Sequence, residues 1–331
     1  MHIEQLALSV DIRVKAVVSL LAAAHAEDFP LGPKFCLDWE AAQIRYPAPG
    51  SRYEWWLASG GDSAVDAVLM LEFPERDNIT TALAALTVQP HARRRGIGTA
   101  LADVARSRAA ANARTLLIAE SVLGGAGDRM LRRYGASPGL PYHRQRLAID
   151  AATVDSWQRL SDEALPHAAG YTVLRWRDEA PEQFLDGMAY LNARMSTDAP
   201  LDQLEWGPEL WDGDRIRERD KAVAAWGTRC YTTAAVHDGT RHLVGYSTLS
   251  YTPDDPTHAQ QWNTIVEPAH RGHRLGMITK AANLRFALEH EPATRTVMTI
   301  NAESNGPMNA INAALGFVPF DHWAEWQVRL A

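Results

Sequence analysis

The chain has 331 residues, 46% hydrophobic and 22% charged, enough for two domains that each bury a sizeable core. Its formal net charge of −7 argues against the basic stripe of a nucleic-acid binder, and no run of about 18 apolar residues exists to span a membrane. The two cysteines, Cys36 and Cys230, lack metal or redox spacing, so no metal site is expected and both read as free thiols.

The opening MHIEQLALSVDIRVK mixes charge into its apolar positions and lacks the apolar stretch of a signal peptide, so a cytoplasmic location is expected. Val14 to Ala26 is apolar and alanine-rich and predicts a helix, which DFPLGP, Asp28 to Pro33, ends. YEWWLAS, AVDAVLMLEF and TTALAALTV (Thr80 to Val88) predict three strands. A basic turn and a long periodic helix follow. TLLIAES, Thr115 to Ser121, predicts a buried strand, AGDRMLRRYGA a short helix stopped by Gly135, and YHRQRLAI a strand. Residues Ala151 to Ala169 are polar and alanine-rich with one proline and read as a linker with room for partial helix.

The same programme then restarts. GYTVLRW predicts a strand and PEQFLDGMAYLNARM a helix, broken by TDAPLDQ at Pro200-Leu201. A charged helix spans Trp211 to Trp226, and RCYTTAAVH and HLVGYSTLSY predict an antiparallel pair. AQQWNTIV leads into a second basic turn and helix, followed by the strand TRTVMTIN, the helix NGPMNAINAALGF and the strand AEWQVRL. Element order repeats, so the chain reads as a tandem duplication: domains 1–150 and 170–331, joined by 151–169. Strand meanders combined with one strand–helix–strand crossover per half put it in the α+β (mixed α/β) class.

Each turn places glycines at the head of a helix, where unpaired backbone amides and the helix dipole favour an anion. Gly98 is followed by Thr99 and Ala100, so the Lys-Ser/Thr of a nucleotide loop is missing; Leu101 replaces the third glycine of a dinucleotide fingerprint. Val88, Pro90, Arg93, Gly96 and Gly98 fit a third pattern, R-x-x-G-x-G behind a valine and a proline. This resembles the acyl-CoA pyrophosphate loop of the GNAT N-acetyltransferase superfamily. The second copy reads Val266, Pro268, Arg271, Arg274 and Gly276, with Arg274 in place of the first glycine, which is tolerable if its φ stays negative.

The whole chain resembles the tandem, two-domain GNAT proteins of actinobacterial type. That resemblance implies two GNAT-like domains, each a mostly antiparallel twisted sheet with one splayed parallel pair and flanking helices. It implies acetyl-CoA as cosubstrate and direct acetyl transfer to a small-molecule amine. In the first half, the cofactor residues it implies are Val88, Arg93, Arg94, Arg95, Gly96, Ile97, Gly98 and Thr99. In the second they are Ile265, Val266, Arg271, Gly272, His273, Arg274, Leu275 and Gly276, with Asn301 and Asn305 beyond them.

The family's final helix carries an Asn and a catalytic Tyr. The second half matches with Asn305, Met308, Gly316 and Phe317 but has Asn312 at the Tyr position; the first half has Leu131 there. Tyr134 lies three residues off register, roughly 60° round and about 4.5 Å along the helix, and reads as packing. The resemblance therefore favours the second half for catalysis, with Asn312 and Glu303 as candidate catalytic residues. Asp254, Asp255 and His258 read as loop residues, and Trp206, Trp211, Trp226 and Trp262 as packing or as an aromatic wall for the acceptor. The alternative is a non-catalytic acyl-CoA-binding or interaction protein. Neither reading decides between a monomer and a homodimer.

Overall fold

The computed structural model describes residues 1–6, 11–30, 32–60 and 65–330. Leu31 in the expected break and Ala64 at the head of the second expected strand lie outside them. The first elements are β1 (His2–Gln5), α1 (Asp11–Asp28), α2 (Leu37–Arg45), β2 (Ser51–Ser59), β3 (Val65–Pro74), β4 (Thr81–Val88), α3 (Ile97–Ala111), β5 (Leu116–Val122), α4 (Ala126–Arg133) and β6 (Ser137–Ala148). There follow α5 (Ala151–Ala164), β7 (Tyr171–Arg177), α6 (Leu185–Asp198), α7 (Gly213–Ala225), β8 (Arg229–His237), β9 (Leu243–Tyr251), β10 (His258–Val266), α8 (Leu275–His290), β11 (Thr296–Ala302), α9 (Gly306–Leu315) and β12 (Val318–Arg329). The α+β class holds. Sequence reading missed β1, too short to show alternation, and α2, which buries only Ala41 and Ile44.

Two compact units form, and they interleave in sequence rather than dividing at 1–150 and 170–331. One holds Met1–Pro141, Leu201–Trp206 and Trp323–Ala331; the other holds Tyr142–Pro200 and Gly207–His322. The reason is strand pairing. Tyr142 to Ala148 of β6 pair antiparallel with β11, while Trp323 to Arg329 of β12 pair antiparallel with β5. Each half therefore lends its last strand to the other half's sheet. The 151–169 stretch is not a bare linker. The Asp150 carboxylate caps α5 by accepting from Thr153 N at 2.8 Å. Trp157 is fully buried in the second core, its indole N–H donating to Leu315 O at 3.0 Å. Cutting such a side chain to alanine costs ~3–5 kcal/mol.

In the first unit the strands run β1-β2-β3-β4-β5-β12. α1 and α2 bury Val17, Leu20 and Ile44 against Leu57 and Val68 on one face; α3 buries Leu101 and Ala105 against Leu69 and Leu71 on the other. The second unit repeats this with β7-β8-β9-β10-β11-β6. α6 and α7 place Leu191 and Ile216 over Ala234 and Tyr246. α5, α8 and α9 place Trp157, Leu284 and Leu315 over Tyr231 and Val297.

Candidate active site

Each unit contains one parallel strand pair that comes apart. β4 pairs with β5 only from Thr81–Leu116 to Ala84–Ala119; beyond that, β4 bonds to β3 and β5 to β12. β10 pairs with β11 only from His258–Thr296 to Gln260–Met298; beyond that, β10 bonds to β9 and β11 to β6. The result is a crevice between two strands whose facing backbone edges have left each other. β10 also carries a bulge between Gln261 and Thr264, whereas β4 keeps an unbroken register with β3. Such a bulge re-aims side chains next to a site.

Polar atoms without partners mark these walls. Asn301 Nδ2 on β11 and Gln261 Oε1 on β10 are buried and unbonded, and so is Ser121 Oγ on β5. Ser121 and Asn301 are both sixth in their seven-residue strands, and both face the crossover-helix side. A buried donor or acceptor left unpaired costs ~1–3 kcal/mol, so these atoms suit a ligand carrying amides.

The two turns are alike in backbone and differ in side chain. Arg94 (φ 64°) and Gly96 (φ 83°) are left-handed in the first; Gly272 (φ 87°) and Arg274 (φ 54°) are left-handed in the second. Each turn thus puts glycine at one strained position and arginine at the other. The condition of a negative φ at Arg274 is not met: it caps α8 in the left-handed region, at a cost of roughly 1–2 kcal/mol. Arg93 and Arg271 have the same structural task. Each donates Nε to the carbonyl of Val88 or Val266 at 3.1 Å, and each pairs with the last residue of its half's first helix, Asp28 at 2.7 Å or Asp198 at 2.9 Å. They clamp the turns. Ile97 and Leu275 bury their side chains and offer only their amides.

The first intrahelical bonds come from Ala100 N to Gly96 O and from Ile278 N to Arg274 O, each at 3.1 Å, which leaves the preceding amides at each helix head for an anion. Gly98 and Gly276 pack close against their own units. A Cβ on Gly98 would sit 3.6 Å from Val88 Cγ2, one on Gly276 3.2 Å from Ile311 Cδ1. Around the second turn, His273 bonds His167 O at 3.1 Å, Tyr171 Oη bonds His270 at 2.9 Å, and Arg274 reaches Glu163 O at 3.4 Å.

The final helices show what became of the Tyr position. Asn312 is fully buried. Its Oδ1 accepts from Lys280 Nζ, and its Nδ2 donates to Gln145 Oε1 at 2.8 Å, while Gln145 Nε2 donates to Asn309 Oδ1 at 2.9 Å. Asn312 is therefore a core network residue rather than a group that can reach a thiolate. Sequence reading missed Lys280, 1% exposed, whose pKa burial lowers to about 7. Its only sequence signal is its place three residues after Met277 and four before Leu284, on the apolar stripe of α8. Leu131 packs with Trp326, and Tyr134 Oη donates to Thr99 O at 2.7 Å, a packing role as expected. Asn305 caps α9, accepting from Met308 N at 3.3 Å. Glu303 is exposed at the end of β11. Asp255 is buried, bonded to Thr257 N at 2.9 Å and paired with His258.

A cavity of about 510 Å³ opens on the α6–α7 face of the second unit, the side of the sheet away from α8. Trp262 and Asn263 reach it from the β10 bulge, with Tyr246, Cys230 and Arg219 around them. Asn263 Nδ2 donates to Tyr246 Oη at 3.1 Å, and Arg219 to Asn192 Oδ1 at 3.1 Å. Burial pushes the Cys230 thiol up to about 12, so it stays protonated. Of the four tryptophans singled out, Trp262 alone lines the cavity; Trp211 lies under Arg215, 4.2 Å from the ring centroid.

The first unit's corresponding face is strapped. Leu204 and Trp206 pack on Leu116 and Ile118 of β5. Glu205 N bonds Gln327 Oε1 at 2.8 Å, and Gln327 Nε2 bonds Gln203 O at 2.6 Å. Beside the strap, burial and the neighbouring Glu120 raise the Glu325 pKa to about 7. In the second unit Ile300, at the position of Glu120, is 51% exposed.

A splayed parallel pair, an amide-rich helix head at its mouth and orphaned polar atoms on its walls together make a crevice suited to an anionic ligand that carries amides. Across the whole chain the structure is similar to a tandem GNAT protein from the clavulanic acid biosynthesis pathway, at 32% identity and TM-score 0.82, covering 100% of this chain and 99% of that one. A GCN5-related N-acetyltransferase from Sphaerobacter thermophilus shares the fold at 14% identity and TM-score 0.65, covering 99% and 96%. No family model matches the sequence, and no curated protein matches it. The chain belongs to the GCN5-related N-acetyltransferase superfamily, in its tandem form. No helix among the described residues is long and apolar enough to cross a membrane.

Proposed function

We propose that the protein is a cytoplasmic, acetyl-CoA-dependent N-acetyltransferase that acetylates a small-molecule amine by direct transfer, with the second unit as the working site. The observation that carries this is the second crevice. Orphaned polar atoms line it, a bulge bends one wall, and a cavity lies across the sheet at that bulge. Membership of the N-acetyltransferase superfamily supports the choice of acyl donor. Acetyl-CoA would supply the acetyl group as a thioester. The α8 amides would hold the pyrophosphate, and Asn301 Nδ2 and Gln261 Oε1 would pair with amides of its arm. Trp262 and Asn263 would hold the amine in the cavity. Proximity then contributes most of the rate, since Asn312 is locked in the core.

Thiol release from acetyl-CoA across a panel of amines tests this. Turnover that disappears in Gly276→Glu and persists in Gly98→Glu supports the reading. A second reading, acyl-CoA binding without chemistry, is favoured by Asn312 and Leu131 standing where the family carries its Tyr. Acetyl-CoA binding with no turnover for any amine would select it.

A further inference from the structure

Three side chains from distant stretches of sequence meet at the end of the second crevice. His143 on β6 stands opposite Asn301 of β11 in the ladder, Glu303 is the first residue past β11, and His322 lies on β12. The Nδ1 atoms of His143 and His322 converge on the same oxygen, Glu303 Oε1, at 3.8 and 3.4 Å. Their rings meet edge to face with centroids 4.4 Å apart, and the three ligand atoms lie within 4.8 Å of one another. Among the described residues no other three His, Cys, Asp or Glu side chains converge in this way.

Hydrogen bonding accounts poorly for this arrangement. A charge-assisted bond from imidazole to carboxylate should measure ~2.7–2.9 Å, and neither contact approaches that. His143 Nδ1 is buried with no hydrogen-bond partner at all. The spacing suits metal ligation better. With metal–ligand bonds of ~2.0–2.1 Å, the edge of a tetrahedron is about 3.3–3.4 Å. The Glu303–His322 edge already has that length, and the Glu303–His143 edge needs only a small movement. Imidazole nitrogens select Zn²⁺ and its neighbours over Mg²⁺ or Ca²⁺, which prefer all-oxygen shells. The side chains are 21%, 40% and 56% exposed for His143, Glu303 and His322, so an ion has a path in. Arg144 and Asp321, next to His143 and His322 in sequence, neutralise each other in an ion pair.

We propose that His143, Glu303 and His322 bind one divalent transition-metal ion, Zn²⁺ foremost. Each residue gives one ligand, and a fourth position stays open to water or to a substrate group. The site needs β6 from one half of the sequence and β12 from the other, so no spacing motif could announce it. It also stands apart from the acyl-transfer reading, because metal uptake and thiol release are measured separately.

Full-length protein dialysed against chelator is titrated with Zn²⁺ by calorimetry and with Co²⁺ by visible absorption. One equivalent per chain and the d–d bands of four-coordinate Co²⁺ are expected. His322→Asn, at the most exposed ligand, and Glu303→Gln should each weaken Zn²⁺ binding by more than the ~10–100-fold of a lost outer partner. His237→Asn, in the separate imidazole cluster around Tyr171, should leave stoichiometry and affinity unchanged. Thermal unfolding of the metal-free variants checks that each is folded. No Zn²⁺ uptake by the parent protein overturns the proposal. So does an affinity unchanged in folded His322→Asn and Glu303→Gln.

Discussion

In the first unit β4 runs straight beside β3, its turn carries three arginines, and a strap crosses the opposite face of β5. In the second, β10 bulges at Gln261–Thr264, two walls carry orphaned amide atoms, and a cavity lies behind the bulge. Both crevices open after a short parallel run, four residue pairs in the first unit and three in the second, and both turns are clamped by the same arginine-to-carbonyl bond. Duplication has thus preserved the main-chain parts of the site and let the side-chain parts diverge. A backbone anion site tolerates sequence drift because amides do the binding. An acceptor pocket does not, because side chains shape it.

The largest effect expected from this contrast is on turnover. Gly276→Glu should lower it at least ~100-fold, since a like charge set against phosphate costs several kcal/mol. Gly276→Ala separates charge from crowding by Ile311 and should keep most activity; Gly98→Glu should lower only the number of acetyl-CoA molecules bound per chain, read by calorimetry. Equal loss of turnover in Gly98→Glu and Gly276→Glu would break the assignment of chemistry to the second unit.

Lys280 should give the second unit a pH signature. Its folded pKa of about 7 lies below the ordinary 10.5, so the unfolded chain binds the extra proton between those values. Its contribution is therefore most favourable above pH 10.5, declines by up to ~1.4 kcal/mol per pH unit as pH falls toward 7, and is flat below. Lys280→Met removes that slope at the cost of an unpaired Asn312 Oδ1. The variant's stability relative to the parent should be greatest near pH 7 and fall as pH rises, measured by denaturant unfolding across that range.

Asn301→Ala removes one orphaned donor and should weaken acetyl-CoA binding about tenfold at the second site, the worth of one hydrogen bond. Ser121→Ala should leave the rate of acetyl transfer unchanged, and a matching loss of rate there would place chemistry in the first unit. Arg274→Gly should have the smallest effect. Relief of the left-handed backbone is worth roughly 1 kcal/mol, and glycine's greater unfolded-state freedom offsets part of it. A rise in melting temperature of a few degrees at most is expected, whereas Gly96→Ala, at the matching position, should lower it.

The sequence by itself determined the class of fold and both glycine-bearing turns. Strand periodicity, the repeated element order and the Val-Pro-Arg-Gly pattern are local properties, fixed by neighbours within a few residues. Most expected strands and helices therefore formed close to where they were read. What local pattern could not decide is which strand ends beside which. Only the tertiary structure exchanges β6 and β12 between the sheets, buries Trp157 of α5 in the second core, and ties Asn312 to Lys280 and Gln145. Only it gathers His143, Glu303 and His322. Most of those contacts join residues more than a hundred positions apart, and the nearer ones, Lys280 with Asn312 and Glu303 with His322, still join separate elements; they are chosen by the burial each whole sheet achieves rather than by any short segment's own preference.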